Sequence, residues 1–280
     1  MRKIIIVLFC LLMVACSTNN NGNNKKPPIN KQEDGGIEVD NITYGLEAGW
    51  NDSLKKDIEQ FGIPYQIYLP ENYSQDKEYP VLFFLHGNGS RGTDNFSQFQ
   101  NAQICNTFIS NDEQKDIIMI APQCDKTMQW VEADHTAGNY ILQTEISYCL
   151  QEALNIFDYW TDKLSCDNNH FYLFGNSMGG FACYDLICRY EDKWACAVVV
   201  AGCGDLNKVD IIKNIPLWIH HGTADTLVPY EGSLKMYEAL KAVGANDNVT
   251  LTTYEGEGHT IFKEVGLSKE VADWIWKQQK

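Results

Sequence analysis

The 280-residue sequence has little positive charge and none of the residue spacings that usually bind zinc. Its 22 Lys and Arg residues stand against 37 Asp and Glu residues, and nucleic-acid backbones bind clustered positive charge, so we expect no nucleic-acid partner. Neither Cys-x-x-Cys nor His-x-x-x-His occurs, which argues against a zinc site. We therefore expect no metal and no organic cofactor.

A long apolar run is also missing. The N-terminal run from Ile4 to Ala15 follows two basic residues and is shorter than the roughly 20 residues that a membrane-spanning helix needs. It has the length of a signal-peptide core, so we predict a signal peptide over residues 1–15. Met13-Val14-Ala15-Cys16 resembles the lipobox of bacterial lipoproteins, although Met13 is an unusual first residue. The resemblance implies a lipidated Cys16 and a lipid-anchored position in the bacterial cell envelope; an ordinary secreted protein is the alternative.

The rest of the chain divides into a polar segment and one long domain. Residues 16–36 are mostly Asn, Lys, Pro, Gly and acidic residues, which bury too little apolar surface to offset the entropy of ordering. We predict a flexible tether there and a single α/β domain over residues 37–280. The oligomeric state is left open.

The cysteines do not define a disulfide framework. Of ten cysteines, Cys10 leaves with the signal peptide and Cys16 would carry lipid. Export makes bridges possible among the other eight, but the sequence leaves their pairing open. Cys149, Cys183 and Cys196 lie within apolar patterns that favour small buried thiols.

Short apolar runs alternate with segments of helical spacing. Runs of this kind are typical of strands that are buried on both faces of a parallel sheet; they are 81–85, 117–121, 171–174, 197–201, 217–219 and 249–254. Helices are predicted at 140–163, 179–190, 231–243 and 267–277, and an early, half-exposed antiparallel strand at 63–70. The alternation predicts an α/β fold with a doubly wound, mostly parallel sheet and helices on both faces. Ligands bind beyond the carboxyl ends of such strands.

The most informative motif stands where one of these strands ends. Gly175-Asn176-Ser177-Met178-Gly179 has the Gly-x-Ser-x-Gly form of a nucleophile elbow, in which small residues let the strand and the following helix pass closely. A glycine-rich turn with a helix-capping serine is the structural alternative.

Two later residues complete a candidate catalytic triad. A serine needs a base and an acid that orients the base; Asp225 follows the run at 217–219, and His259 follows the run at 249–254. The order Ser177, Asp225, His259 is that of an α/β-hydrolase. His135 precedes the serine and is therefore in the wrong order.

An oxyanion loop is predicted after the first buried run. His86-Gly87-Asn88-Gly89 has the His-Gly-x-Gly form, and attack on an ester carbonyl needs two N–H donors in position. We expect these donors to be the backbone N–H groups of Met178 and of Asn88 or a neighbouring glycine. His86 is expected to shape the loop rather than transfer protons.

Together these motifs resemble the α/β-hydrolase serine esterases that bacterial genomes label as carboxylesterases or putative peptidases, near the acetylxylan and feruloyl esterase group. The resemblance rests on residues 85–95, 121–123, 175–180, 221–229 and 258–259 and spans the domain from residue 65 onward. It implies the fold and acyl-transfer chemistry on a small-molecule or polysaccharide ester. Trp130 and, more weakly, Gln123 are candidate substrate-binding residues; ordinary packing is the alternative for Trp130. Arg91 and Asp94 are expected to pair and brace the oxyanion loop.

The sequence thus predicts a serine ester hydrolase that removes acetyl or feruloyl groups from polysaccharide. Two other functions stay open: a serine peptidase of the prolyl oligopeptidase type, and a catalytically idle surface binding protein on a hydrolase scaffold. Chromogenic peptides assayed beside acetylated xylan distinguish the peptidase from the esterase. Reaction with a serine-directed fluorophosphonate distinguishes an active enzyme from a catalytically idle binding protein.

Overall fold

The structure is a computed structural model that describes residues 38–39, 42–43, 46, 49–52, 59–100 and 116–280. The predicted signal peptide, the tether, Cys16 and Cys105 lie outside the described residues. None of the described helices is long and apolar enough to cross a bilayer.

One eight-stranded sheet organises the part of the chain that the structure describes. Two short strands, β1 (Glu38–Val39) and β2 (Ile42–Thr43), pair separately. The sheet consists of β3 (Gly49–Asp52), β4 (Tyr65–Leu69), β5 (Tyr79–Leu85), β6 (Ile118–Pro122), β7 (Cys166–Asn176), β8 (Cys196–Val200), β9 (Leu217–Gly222) and β10 (Val249–Tyr254). The strand order is β10-β9-β8-β7-β5-β6-β4-β3. All neighbours from β10 to β6 are parallel, and β4 and β3 extend the sheet antiparallel. The predicted mostly parallel sheet is confirmed.

Strand β4 corrects one expectation. The alternating residues of this segment predicted a half-exposed strand, but all five residues of β4 are buried. The prediction was wrong because β3 pairs along its outer edge and both faces are covered. Ile67 packs into the larger apolar cluster and Tyr68 into the cluster on the other face.

Helices cover both faces of the sheet, as predicted. They are α1 (Ser97–Gln100), α2 (Tyr148–Lys163), α3 (Met178–Arg189), α4 (Val209–Ile212), α5 (Tyr230–Ala242), α6 (Phe262–Leu267) and α7 (Lys269–Trp276). Apolar residues of α2, α3 and α5 pack in the larger cluster, and those of α6 and α7 in the other. Helix α2 begins later than its apolar spacing predicted, because the Ser147 hydroxyl accepts a hydrogen bond from Leu150 N–H and caps it. The helix predicted at 267–277 is α7, and the short helix α6 precedes it, separated from it by Ser268.

The seven described cysteines are all free and buried. Burial raises the pKa of the Cys166, Cys188 and Cys203 thiols to about 12, so they stay protonated near neutral pH. The prediction of buried thiols at Cys149, Cys183 and Cys196 is confirmed.

Candidate active site

The nucleophile elbow forms where β7 turns into α3. Ser177 lies between the last residue of β7 and the first of α3, with φ 54° and ψ −121°, a conformation that costs strain for a side-chain-bearing residue. A Cβ on Gly179 would lie 1.9 Å from the Leu85 carbonyl oxygen, and one on Gly175 would lie 2.2 Å from the Gly179 carbonyl oxygen. Both glycines are therefore required for the close passage of strand and helix, as the motif predicted.

Three side chains meet at this elbow. The Ser177 hydroxyl lies 2.9 Å from His259 Nε2, and His259 Nδ1 lies 2.7 Å from Asp225 Oδ2. Because the Asp225 carboxylate only accepts hydrogen bonds, Nδ1 carries the proton of a neutral imidazole and Nε2 is free to accept one from the serine. Ser177, His259 and Asp225 thus form one continuous hydrogen-bonded network.

The Asp225 carboxylate is held in its ionised form. Its side chain is fully buried, which by itself raises a carboxyl pKa, but hydrogen bonds from His221 and His259 outweigh burial and hold the pKa of Asp225 well below its usual range. The backbone N–H groups of Leu227 and Val228 donate to Oδ1 at 2.8 and 3.0 Å. A fixed negative charge behind the imidazole suits a base that becomes positive during reaction.

His221 supports Asp225 in a way that the sequence did not reveal. Its Nε2 lies 3.2 Å from Asp225 Oδ2 and 3.0 Å from the Val228 carbonyl oxygen, and its Nδ1 lies 2.7 Å from the Ser233 hydroxyl. The side chain is fully buried. The sequence motifs assign His221 no role of its own; the nearest sequence signal is its place four residues before Asp225.

The predicted oxyanion loop lies beside the elbow. Gly87 is so close to β7 that a Cβ there would lie 2.7 Å from the Asn176 side-chain nitrogen. Asn88 and Gly89 line the same cleft as Ser177, and Met178 opens α3 directly after the serine. Both expected N–H donors therefore belong to backbone that borders the serine.

His86 shapes this loop from within. Its Nδ1 lies 2.7 Å from the Gly87 carbonyl oxygen, and its Nε2 accepts from Cys124 N–H at 2.9 Å. Burial lowers the pKa of His86 to about 4, which keeps it neutral. As expected, this histidine links backbone segments and does not contact the serine.

Trp130 does not lie where the sequence suggested. Its side chain is completely buried, its indole N–H donates to the His86 carbonyl at 2.9 Å, and its ring packs 5.0 Å from the His86 ring. The substrate-stacking prediction is wrong, because a residue with no exposed face cannot stack on a ligand. Trp130 instead supports the oxyanion loop, which is the packing alternative.

Gln123 is a second correction. It is also fully buried; its Nε2 donates to the Ser90 carbonyl and to Asp94 Oδ1, and its Oε1 accepts from Asn95 N–H. All of these contacts are within the protein. Gln123 thus holds residues 90–95 together and is not a substrate-binding residue.

Arg91 and Asp94 brace the loop separately rather than as the predicted pair. Arg91 donates to the Met128 carbonyl at 2.9 Å. Asp94 accepts from the Ser97 N–H and hydroxyl and from Phe96 N–H; these bonds overcome its burial and lower the pKa of its carboxyl.

A cleft of about 650 Å³ opens above Ser177. Its walls combine apolar residues with polar ones that the sequence did not single out for binding; they include Gln129, His135, Thr136, Leu227, Val228 and Phe262. The volume is that of a small-molecule site.

Residues 72–269 match the family model described as Phospholipase/Carboxylesterase. The chain belongs to the Phospholipase/Carboxylesterase family. As a member of this family it is classed as a serine esterase, and its α/β-hydrolase fold agrees with the predicted fold class.

Solved structures of similar fold include several esterases and a putative dipeptidyl aminopeptidase IV from Bacteroides ovatus, which matches at 12% identity and a TM-score of 0.56, over 82% of this chain and 35% of that one. A thermostable esterase matches at 27% identity and a TM-score of 0.68 over 78% of this chain, and the match spans 60% of that protein. A ferulic acid esterase matches at 15% identity and a TM-score of 0.58, over 81% of this chain and 97% of that one. The feruloyl esterase module of Clostridium thermocellum, solved with sinapinate, matches at 17% identity and a TM-score of 0.57, over 85% and 94%. The last two are similar in fold alone.

Proposed function

We propose that the chain hydrolyses carboxylic esters through Ser177, His259 and Asp225. The observation that carries this proposal is the hydrogen-bonded chain from the Ser177 hydroxyl through His259 to Asp225. No other serine is brought to a histidine by a strained elbow of this kind in the part of the chain that the structure describes.

The reaction would proceed through an acyl-enzyme. Ser177 Oγ attacks the ester carbonyl carbon while His259 Nε2 takes the hydroxyl proton and passes it to the leaving alcohol. Water then attacks the acyl group, with His259 again removing and returning a proton, and the acid leaves. Asp225 keeps the imidazole in the required tautomer and stabilises its positive charge. Each step moves groups among the ester, water and these side chains, so the proposal includes no cofactor.

The N–H groups of Met178 and Asn88 would bind the oxyanion. Negative charge develops on the carbonyl oxygen in the tetrahedral intermediate, and fixed donors stabilise it without reorganisation. Two features support these donors: Met178 follows the serine at the start of a helix, and the Asn88 backbone is held by neighbouring loop contacts. Loss of one such donor costs about 2.7 to 4 kcal/mol of barrier stabilisation in comparable sites.

The substrate that we propose is an acetyl or feruloyl ester on a polysaccharide. The names of the feruloyl esterase neighbours support this, as does the predicted envelope location. Release of acetate or ferulate from a panel of natural esters, with fatty-acid esters and chromogenic peptides beside them, tests the choice. Cleavage of peptides but not esters would favour the peptidase alternative.

Replacing the serine tests the reaction itself. Ser177→Ala should abolish hydrolysis of p-nitrophenyl acetate, while Ser74→Ala, in a loop between β4 and β5, serves as the matched control and should keep it. Thermal unfolding monitors the fold of both variants. A folded Ser177→Ala protein with wild-type activity would refute the proposal.

We further propose that lipid on Cys16 holds the enzyme at the cell envelope. The support is the lipobox-like sequence before Cys16 and the polar tether after it. Metabolic labelling with an alkynyl fatty acid should mark the full-length chain and not Cys16→Ala; equal labelling of both would overturn the proposal.

A further inference from the structure

The Asp225 carboxylate accepts hydrogen bonds from two histidines on one oxygen. His259 Nδ1 lies 2.7 Å from Oδ2, and His221 Nε2 lies 3.2 Å from the same atom. The backbone N–H groups of Leu227 and Val228 donate to the other oxygen, Oδ1. A carboxylate has about four lone-pair positions, so these four donors leave the group no free direction in which to turn. His221 is thus one of two side chains that fix the oxygen on which His259 depends.

The neighbours of His221 decide which of its ring nitrogens carries hydrogen. Nε2 faces two acceptors, Asp225 Oδ2 and the Val228 carbonyl oxygen at 3.0 Å, so Nε2 carries a hydrogen. Nδ1 lies 2.7 Å from the Ser233 hydroxyl, which lies 2.9 Å from the Gly202 carbonyl oxygen. Either orientation of that hydroxyl leaves the Nε2 hydrogen in place. His221 therefore acts on Asp225 as a hydrogen-bond donor.

The surroundings of His221 hold its ring in place. The residue belongs to β9, and its side chain is fully buried. The Tyr230 ring of α5 packs edge-on against it with ring centroids 5.8 Å apart, and Ser233 of the same helix is also fully buried. His221 is not among the residues that line the cleft above Ser177. The hydrogen bond to Asp225 is therefore its connection to the reacting groups.

We propose that His221 is a positioning residue, whose Nε2–H directs Asp225 Oδ2 toward His259 Nδ1 and takes up part of the carboxylate charge. The inference rests on the proposed esterase function and adds a fourth side chain to its hydrogen-bonded network. Without this donor, Oδ2 would be free to turn away from His259, and less of the imidazole would be in the tautomer that accepts the Ser177 proton. The same loss would leave the Asp225 charge less compensated, which stabilises the protonated imidazole. His221 therefore affects both the rate and its dependence on pH.

Two substitutions separate the hydrogen-bond donor from the space that it fills. His221→Phe keeps the ring shape but donates no hydrogen bond, whereas the amide of His221→Gln reaches about as far as Nε2 and can donate to Asp225. Because hydrogen bonds to charged groups are among the stronger ones in proteins, kcat on p-nitrophenyl acetate should fall about thirtyfold in His221→Phe and less than about threefold in His221→Gln. KM should change less than about twofold in both, since the ester does not contact this residue.

His220→Phe is the matched control. His220 precedes His221 on β9 and is also buried, but it points to the opposite face of the sheet, where its Nδ1 lies 3.1 Å from the Tyr254 hydroxyl. It should keep the wild-type kcat. Thermal unfolding monitors the fold of every variant. If His221→Phe does not fold, His221→Asn replaces it, because its shorter amide reaches Ser233 but not Asp225 and should show a fall in kcat of the same order.

The pH profile distinguishes positioning from a purely structural role. Activity falls in acid as His259 takes up a proton, and a less compensated Asp225 binds that proton more tightly. In His221→Phe the acid limb of kcat/KM should therefore move to higher pH by about 0.5 to 1 unit, and in His221→Gln it should stay near that of the wild type. Other titratable groups around the pair are unchanged in both variants, so they cancel in the comparison. These groups include Tyr230 and Lys235 of α5, Cys203 after β8, Glu257 before His259, and Arg91 and His135 across the cleft.

Two results would overturn the positioning role. One is a folded His221→Phe protein, or His221→Asn in its place, with the wild-type kcat and an unshifted acid limb. The other is an equal fall in kcat in His221→Phe and His221→Gln, which would mean that only the packing of the side chain matters. The esterase proposal is tested separately, since it fails only if Ser177→Ala remains active.

Discussion

The backbone that carries Ser177 and the segment that carries Trp130 face the same cleft but are held in different ways. We call the first the cleft floor, formed by residues 175–179, Asp225 and His259. The second is the cleft wall, formed by residues 124–147, which connect β6 to α2.

The cleft floor is fixed by the sheet. Ser177 N–H bonds to the Val200 carbonyl at 2.7 Å, and Gly179 approaches Leu85 so closely that no side chain fits. Each polar side-chain atom that we assign to the reaction has a partner at hydrogen-bond distance.

The cleft wall contains no strand and is fixed by side chains. Trp130 bonds to His86, Tyr140 bonds to Asp185 at 2.5 Å, and the Leu142 N–H bonds to Asp205 at 2.9 Å. It nevertheless leaves buried polar atoms of Gln129 and His135 without a described partner.

This difference between floor and wall indicates that the floor carries out the reaction and that the wall selects the ester. Parallel strand ends hold the reacting groups with little freedom, whereas a segment anchored at a few points can vary the residues between its anchors without disturbing them. Changes in the floor should therefore affect every ester, and changes in the wall should affect the choice of ester.

The largest effect is expected from Asp225→Asn in the floor. An amide nitrogen cannot accept the His259 Nδ1 proton, so the imidazole would adopt the wrong tautomer, and kcat should fall about 10⁴-fold, about 5 kcal/mol of barrier. Steady-state kinetics on p-nitrophenyl acetate measure this. Asp158→Asn, on exposed α2 surface beside Lys193, is the control. A fall of less than tenfold would mean that Asp225 does not orient the base.

Gly179→Ala tests how tightly the floor is packed. Its Cβ would lie 1.9 Å from the Leu85 carbonyl oxygen, and neither backbone can move without disturbing the sheet, so unfolding free energy should fall by about 3 kcal/mol. Urea unfolding gives the value. At Gly258 the nearest atom to an added Cβ is 3.9 Å away, so Gly258→Ala should change stability by less than about 1 kcal/mol. Equal stability of the two variants would contradict the packing argument.

His86 connects the cleft floor to the cleft wall, and the stability that depends on its neutral form should fall in acid. Burial lowers the pKa of His86 from 6.5 to about 4, so below pH 6.5 the unfolded chain binds a proton that the folded protein does not. Between pH 7 and pH 5 this linkage should remove about 2 kcal/mol of stability, with further loss until the pH nears 4. Urea unfolding of wild type and His86→Asn at both pH values should show a smaller loss in the variant. The same loss in both would rule out this role.

Local patterns in the sequence predicted the floor better than the wall. Apolar runs in the sequence predict the buried strands, and the glycines around Ser177 predict the elbow. Asp225 and His259 were then found because they follow later strands in the order typical of the motif. The burial of Trp130 depends on a bond to His86, 44 residues away in the chain, and that of β4 on pairing with β3. His221 was missed for the same reason, because its contact with Ser233 forms only when α5 packs beside β9.

We propose that His259 and Asp225 activate Ser177 as the nucleophile. Mass spectrometry after brief treatment with a fluorophosphonate measures this activation as covalent labelling of the serine. We expect a single adduct on the peptide that contains Ser177, formed rapidly in the wild type, at least a hundredfold more slowly in His259→Ala and not at all in Ser177→Ala. An adduct on another serine, or equal labelling of wild type and His259→Ala, would contradict the claim.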